Sequence, residues 1–248
     1  LETVVTMYKK TILNNGLRII TQRMPKMQSV ALGIWIKVGG RYESSRNKGI
    51  SHYLEHLAFK GSKSYSCRKI KESIEGVGGA LNGFTSEELT CYFVKLPSRY
   101  LALALDILSS MVINPILSPG DIEKEKTVIL EEIKMQKDSP QSYVYELLDN
   151  LLWPNQPLGM SITGTSESVS QIKREDLSLF KEQYYVPANI VVSAAGLLEH
   201  DEFTSKTQKA FSNLKLKISD KFCTVKETQF KPQLKLFHKD SEQTHLAL

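Results

Sequence analysis

Five consecutive residues constrain this chain more than any other stretch: His52-Tyr53-Leu54-Glu55-His56. On an α-helix, positions four apart share one face about one turn apart. A helix here would aim His52 and His56 at one ion and lean Glu55 toward the same side. A catalytic zinc needs such ligands, with one coordination position left open and a base nearby for water. The order H-x-x-E-H inverts the commoner H-E-x-x-H metallopeptidase motif. The plainer alternative is two surface histidines on a polar helix. Ile50, Leu54, Leu57, Ala58 and Phe59 argue against it, because they make the helix largely apolar. Burying two histidines and a glutamate there is costly unless something pairs with them.

Size and composition permit a sizeable core around such a helix. The 248 residues, 41% hydrophobic and 24% charged, suit one large globular domain or two small ones. The net charge of +5 comes from interleaved signs. The densest basic stretch, Lys60, Lys63, Arg68, Lys69 and Lys71, reads as a solvated helix face, since it lacks aromatics for base stacking. Cys67, Cys91 and Cys223 are too far apart and odd in number to imply a disulfide framework. A reducing compartment is the simpler expectation. No apolar run reaches the roughly 18–20 residues of a membrane span. The first residues lack the apolar core of a signal peptide. Met7 reads as a natural start, with residues 1–6 a remnant ahead of it.

In chain order, residues 11–13 and 17–21 flank Asn14-Asn15-Gly16 and predict a β-hairpin. Residues 30–38 predict a central strand. Residues 41–48 read as polar loop before the motif helix. Ser66 caps a second helix ending near Gly76. Residues 80–86 and 89–96 predict two strands joined by a turn. Helices follow over 100–111, from Asp121 to about Lys137, and over 142–152, 168–183 and 200–214. Between the last two, residues 189–196 form a buried-type strand. Strict β-α alternation is absent. The pattern predicts an α+β domain, with helices packed on a mostly antiparallel, mixed sheet.

The two histidines need at least one more protein ligand. His200, His238 and His245 lie in a helix start and the terminal tail and read as surface residues. The helix from Asp121 is the better source. Glu125 and Glu132 are seven apart and return to nearly one face. Val128, Ile129 and Ile133 suggest that one side of this helix is buried, so glutamates there need partners. Glu123 and Glu131 read as a solvated acidic face.

Residues 52–56 followed by Leu57-Ala58-Phe59-Lys60-Gly61-Ser62 closely resemble the zinc site of the pitrilysin/insulinase family (M16), which includes processing peptidases. Residues 39–43, 78–85, 184–187 and 189–196 are similar to further family segments, in the family's order. The likeness runs from about Lys10 to the end of the chain. Gly83 stands where an alanine is common.

The resemblance implies one zinc ion per chain, held by His52, His56 and a distal glutamate that falls at Glu132. It implies Glu55 as the general base and Glu125 as a supporting group, both counted as catalytic. It also implies that an extended peptide adds to the strand carrying Ala80, Asn82 and Phe84. The expected activity is zinc-dependent endopeptidase action on unfolded or flexible peptides. Family members have two homologous halves, and this chain resembles the zinc-bearing first half. Residues 7–216 would form that domain, 217–242 a linker and 243–248 the start of the second half. The implied partners are a peptide, the missing homologous half and, as an option, a second copy. No nucleic-acid or membrane partner is implied, and a cytoplasmic, bacterial-type setting is expected. Two alternatives stay open: a scaffold member without catalysis, and a fragment inactive without its other half.

Overall fold

A six-stranded sheet organises the domain in a computed structural model that describes residues 8–217, 224–227, 231–240 and 242–248. The strands are β1 (Lys9–Ile12), β2 (Arg18–Arg23), β3 (Ser29–Ile36), β4 (Ala80–Thr85), β5 (Thr90–Pro97) and β6 (Ile190–Gly196). Their spatial order is β1-β2-β6-β3-β5-β4. Only β2 and β6 run parallel; every other pair is antiparallel. The β1–β2 turn uses Gly16 at φ +87°, a backbone that side chains other than glycine's rarely adopt.

Side chains alternate across a strand, so one sheet face gathers the apolar residues. Val30, Leu32, Ile34 and Ile36 of β3 are buried, as are Tyr92, Val94 and Leu96 of β5 and Ile190 and Val192 of β6. Helix α3 (Leu101–Ile113) packs on β3 and β5, α8 (His200–Ala210) on β2, and α1 (Ile50–Ala58) and α2 (Cys67–Glu75) on β4. Burying each large aliphatic side chain contributes about 1.5–3 kcal/mol. The other face keeps Trp35, Phe84 and Phe93 partly exposed, with successive ring centroids 6.0 and 6.2 Å apart.

Helix α4 (Pro119–Asp138) lies against α1. Ser118 caps it, its hydroxyl accepting from Asp121 N at 3.1 Å, and Pro119 supplies a preset φ at the first turn. Its buried residues are Ile122, Glu125, Ile129 and Ile133, a helical stripe with one carboxylate in it. Helix α5 (Pro140–Leu152) turns back along α4.

Four expectations change. Residues 168–183 are two helices, α6 (Ser166–Gln171) and α7 (Arg174–Tyr184). Ile172 adopts an extended ψ of 125° and buries its side chain, and Asp176 then recaps the chain by accepting from Lys173 N. Residues 41–48, read as polar loop, take part in two 3₁₀ turns and bury Glu43 and Lys48 while 44–46 stay exposed. His200 is half-buried rather than a surface residue. Its Nε2 and Nδ1 meet the hydroxyls of Thr11 and Thr21 at 2.8 and 2.7 Å, which ties α8 to the first hairpin. Residues 243–248 form no strand.

The described part of 217–242 contains no helix or strand but touches the domain. Lys226 and Gln156 exchange two hydrogen bonds, Phe237 stacks edge-on against Tyr143, and Lys239 pairs with Asp138. Residues 1–7 and Cys223 lie outside the described residues. No helix among the described residues is long and apolar enough to cross a membrane.

Candidate metal centre

Helix α1 begins at Gly49, at φ +91°, and buries Ile50, Tyr53, Leu54, Leu57 and Ala58. With that stripe turned inward, the 3.6-residue repeat leaves His52, Glu55 and His56 together on the flank facing α4 and the end of β4. The imidazole centroids are 4.5 Å apart.

Glu132 of α4 completes a cluster. Its Oε2 lies 3.8 Å from His52 Nε2 and 3.6 Å from His56 Nε2. Among the described residues, His52, His56 and Glu132 form the group able to hold a metal, with ligand atoms all within 4.8 Å of one another. Ligands about 2.0–2.2 Å from a tetrahedral ion stand roughly 3.4 Å from each other, and the two Glu132 distances exceed that by only a few tenths of an ångström. The donor set also fits: two imidazoles and one carboxylate. Burial, helped by neighbouring His56, holds the His52 imidazole down at about 4, which favours the neutral ligand form.

Glu125 stands one layer behind. Its Oε2 lies 3.1 Å from His56 Nδ1, on the ring edge away from Glu132, and its Oε1 pairs with Lys60 Nζ at 2.6 Å. Glu55 accepts a hydrogen bond from Thr85 Oγ1 at 2.8 Å. Burial raises its carboxyl above the usual glutamate value, while the Thr85 bond and His56 pull the other way. Buried Cys91 contributes no thiolate, because burial pushes its thiol up to about 12. Glu123 and Glu131 are exposed and pair with Lys126 and Lys134.

Strand β4 is an edge of the sheet, and it carries Ala80, Asn82 and Phe84 on its exposed alternation. Asn82 Oδ1 accepts from Gly83 N at 2.8 Å. Sequence reasoning missed Thr85 and Lys60 as groups that touch Glu55 and Glu125. Thr85 falls at the end of the family-like segment 78–85, but nothing local ties its hydroxyl to Glu55. Lys60 lies in the basic stretch and shares its local signature with solvated lysines.

A helix pair that gathers two imidazoles and a carboxylate beside an open sheet edge defines a domain with a candidate metal centre. Comparison with known proteins narrows this. Residues 18–166 match the family Insulinase (Peptidase family M16), and residues 171–248 match the Peptidase M16 inactive domain. The chain belongs to peptidase family M16. It is 37% identical over 242 residues to the uncharacterized zinc protease YmxG of Bacillus subtilis, covering 98% of this chain and 58% of that protein. An uncharacterized zinc protease of Rickettsia felis is 37% identical over 236 residues, covering 95% and 57%. The crystal structure of a protease from Helicobacter pylori superposes with a TM-score of 0.83 at 24% identity, covering 90% and 54%, a likeness of fold. The chain thus spans little more than half the length of the relatives it matches, and its family is one of zinc proteases.

Proposed function

We propose that this chain is the zinc-bearing half of a metalloendopeptidase that cleaves unfolded or flexible peptides. The observation that carries the reading is the convergence of His52 Nε2, His56 Nε2 and Glu132 Oε2 from two helices onto one point. These three residues would hold one zinc ion. When bound, zinc supplies Lewis-acid polarisation of the scissile carbonyl and lowers the pKa of water toward about 7.

The chain's own groups do the rest. Glu55 takes the proton of the attacking water and returns it to the leaving amine. Its burial, which raises its proton affinity, suits a group that must both accept and donate. Thr85 holds one oxygen of Glu55 and so fixes the carboxylate plane. Glu125 accepts from His56 Nδ1, which leaves Nε2 free for the metal. An extended peptide would add to β4 through main-chain hydrogen bonds, with Ala80, Asn82 and Phe84 beneath it. The second half of the substrate chamber would come from a homologous half, corresponding to the part of the longer relatives that this chain does not cover.

Zinc analysis with intact mass, followed by a peptide-library digest with and without chelator, tests this. The expected result is about one zinc per chain and chelator-sensitive cleavage that rises when the second half is added. No bound zinc, or cleavage indifferent to chelator, overturns it.

A further inference from the structure

His52 is the third residue of α1, so its position depends on how the helix starts. The first turn of a helix has N–H groups with no partner inside the helix. Gly49, at the cap position, has no side chain to serve them. Glu43 does so from six residues upstream. Its Oε2 accepts from Gly49 N at 2.9 Å and its Oε1 from Ser51 N at 2.8 Å. The carboxylate also lies at the positive end of the helix dipole.

This carboxylate is fully buried, with a side-chain exposure of 0%. A buried charge needs a partner, and Lys48 provides it, with Nζ 3.4 Å from Glu43 Oε2 and 2% of its side chain exposed. Lys48 in turn donates to the carbonyls of Gly40 and Pro157 at 2.9 and 3.2 Å, and its own carbonyl accepts from Ser168 Oγ at 2.8 Å. The start of α1 is thereby fastened to the strand-end turn, to the loop after α5 and to α6. A buried ion pair adds little net stability over an apolar pair. It does fix a geometry, because both carboxylate oxygens and the ammonium have directed partners.

We infer that Glu43, braced by Lys48, is a positioning residue that sets the register of the first turn of α1 and so the reach of His52 Nε2 toward Glu132. The inference rests on the proposed metal site. Zinc dissociation constants of the intact protein, measured by competition with a chromophoric chelator, test both. His56→Ala tests the metal site: unchanged zinc affinity there sinks that reading itself. If His56→Ala abolishes binding, Glu43→Gln tests the inference. Gln presents an amide N–H₂ to one of the two N–H groups and strands the Lys48 charge. Zinc affinity should fall 10–100-fold, the range for partners standing behind metal ligands. Thr21→Val is the control: it removes the buried hydroxyl that meets His200 Nδ1 at 2.7 Å between β2 and α8, away from the start of α1. It should lower stability while holding zinc affinity within twofold. Equal loss in both variants, or no loss in Glu43→Gln, overturns the inference. Should Glu43→Gln not fold, hydrogen exchange in the unaltered protein decides. Coupling is reciprocal, so zinc must slow exchange at the Gly49 and Ser51 amides several-fold; equal rates with and without zinc overturn it.

Discussion

His56 Nδ1 and Glu125 Oε2 lie 3.1 Å apart although 69 residues separate them. The contact joins α1 to α4 beside the buried apolar stripe of α4. Glu125 occupies a step in the Ile122–Ile129–Ile133 stripe of α4, where an uncharged aliphatic would pack without penalty. A carboxylate persists there because Lys60 neutralises one oxygen at 2.6 Å and His56 engages the other. The same two contacts orient the ring of His56 so that Nε2 faces Glu132.

Replacing this carboxylate should therefore weaken metal binding more than it weakens the fold. Glu125→Gln is expected to lower zinc affinity 10–100-fold. It should lower unfolding free energy by about 1–3 kcal/mol, less than for a fully buried pair because the Lys60 ammonium can still reach water. Chelator competition and urea denaturation check the two values. Zinc affinity within twofold of the unaltered protein would contradict the role given to Glu125.

Glu55→Gln separates chemistry from binding. The amide keeps the size of the side chain and its bond to Thr85 Oγ1, but it cannot take a proton from water. Peptide cleavage should fall by roughly 10²–10⁴-fold, the usual contribution of a positioned acid–base group. Zinc stoichiometry should stay near one. Loss of zinc on this substitution would make Glu55 a ligand and not a base.

Different parts of this site were legible in the sequence to different degrees. His52, Glu55 and His56 are neighbours on one helix, so spacing alone places them together. The pairing of Glu125 and Glu132 on one helix face follows from the same repeat. That Glu132 meets the histidines does not follow from spacing; it came from family likeness, because the packing of α4 on α1 is a tertiary fact. Thr85, Lys60 and the Glu43–Lys48 pair could not be read. A buried lysine in a polar stretch has the same local signature as an exposed one. Only its partners, among them Pro157 at 109 positions distance, distinguish the two. The helix predicted over 168–183 failed for a related reason. Its apolar period continues through Ile172, but the core claims that side chain in an extended conformation.

An acidic recess of about 150 Å³ between α4, α5 and residues 158–163 supplies a pH prediction. Glu146 lines it, and burial raises its carboxyl above the usual glutamate value, with Lys137, the Ser161 bond and Lys235 opposing. The folded state then holds the proton more tightly than the unfolded chain does. Its contribution to stability is present below the unfolded value of about 4.3 and is lost as pH rises through the raised folded value. Glu146→Gln removes that loss. The variant should match the unaltered protein near pH 4 and exceed it at pH 7 by no more than about 1 kcal/mol, since solvent screens a half-exposed group. Thermal melts across this range decide it; a variant less stable at pH 7 than at pH 4, relative to the parent, contradicts the sign.

Tyr53 gives the complementary case, a polar link between α1 and α4 that does not touch the metal site. Its ring is fully buried on α1, and its hydroxyl donates to the carbonyl of Ile122 in the first turns of α4. Tyr53→Phe keeps the ring and its packing but leaves that carbonyl without this donor. Unfolding free energy should fall by about 0.5–1.5 kcal/mol, the net worth of one hydrogen bond, because the Ile122 carbonyl keeps its partner within the helix. Zinc affinity should stay within a few-fold, because Glu125 and Glu132 lie further along α4 and keep their own contacts with His56. A drop in zinc affinity as large as that of Glu125→Gln would mean that the two helices hold the metal through their overall docking and not through the individual carboxylates.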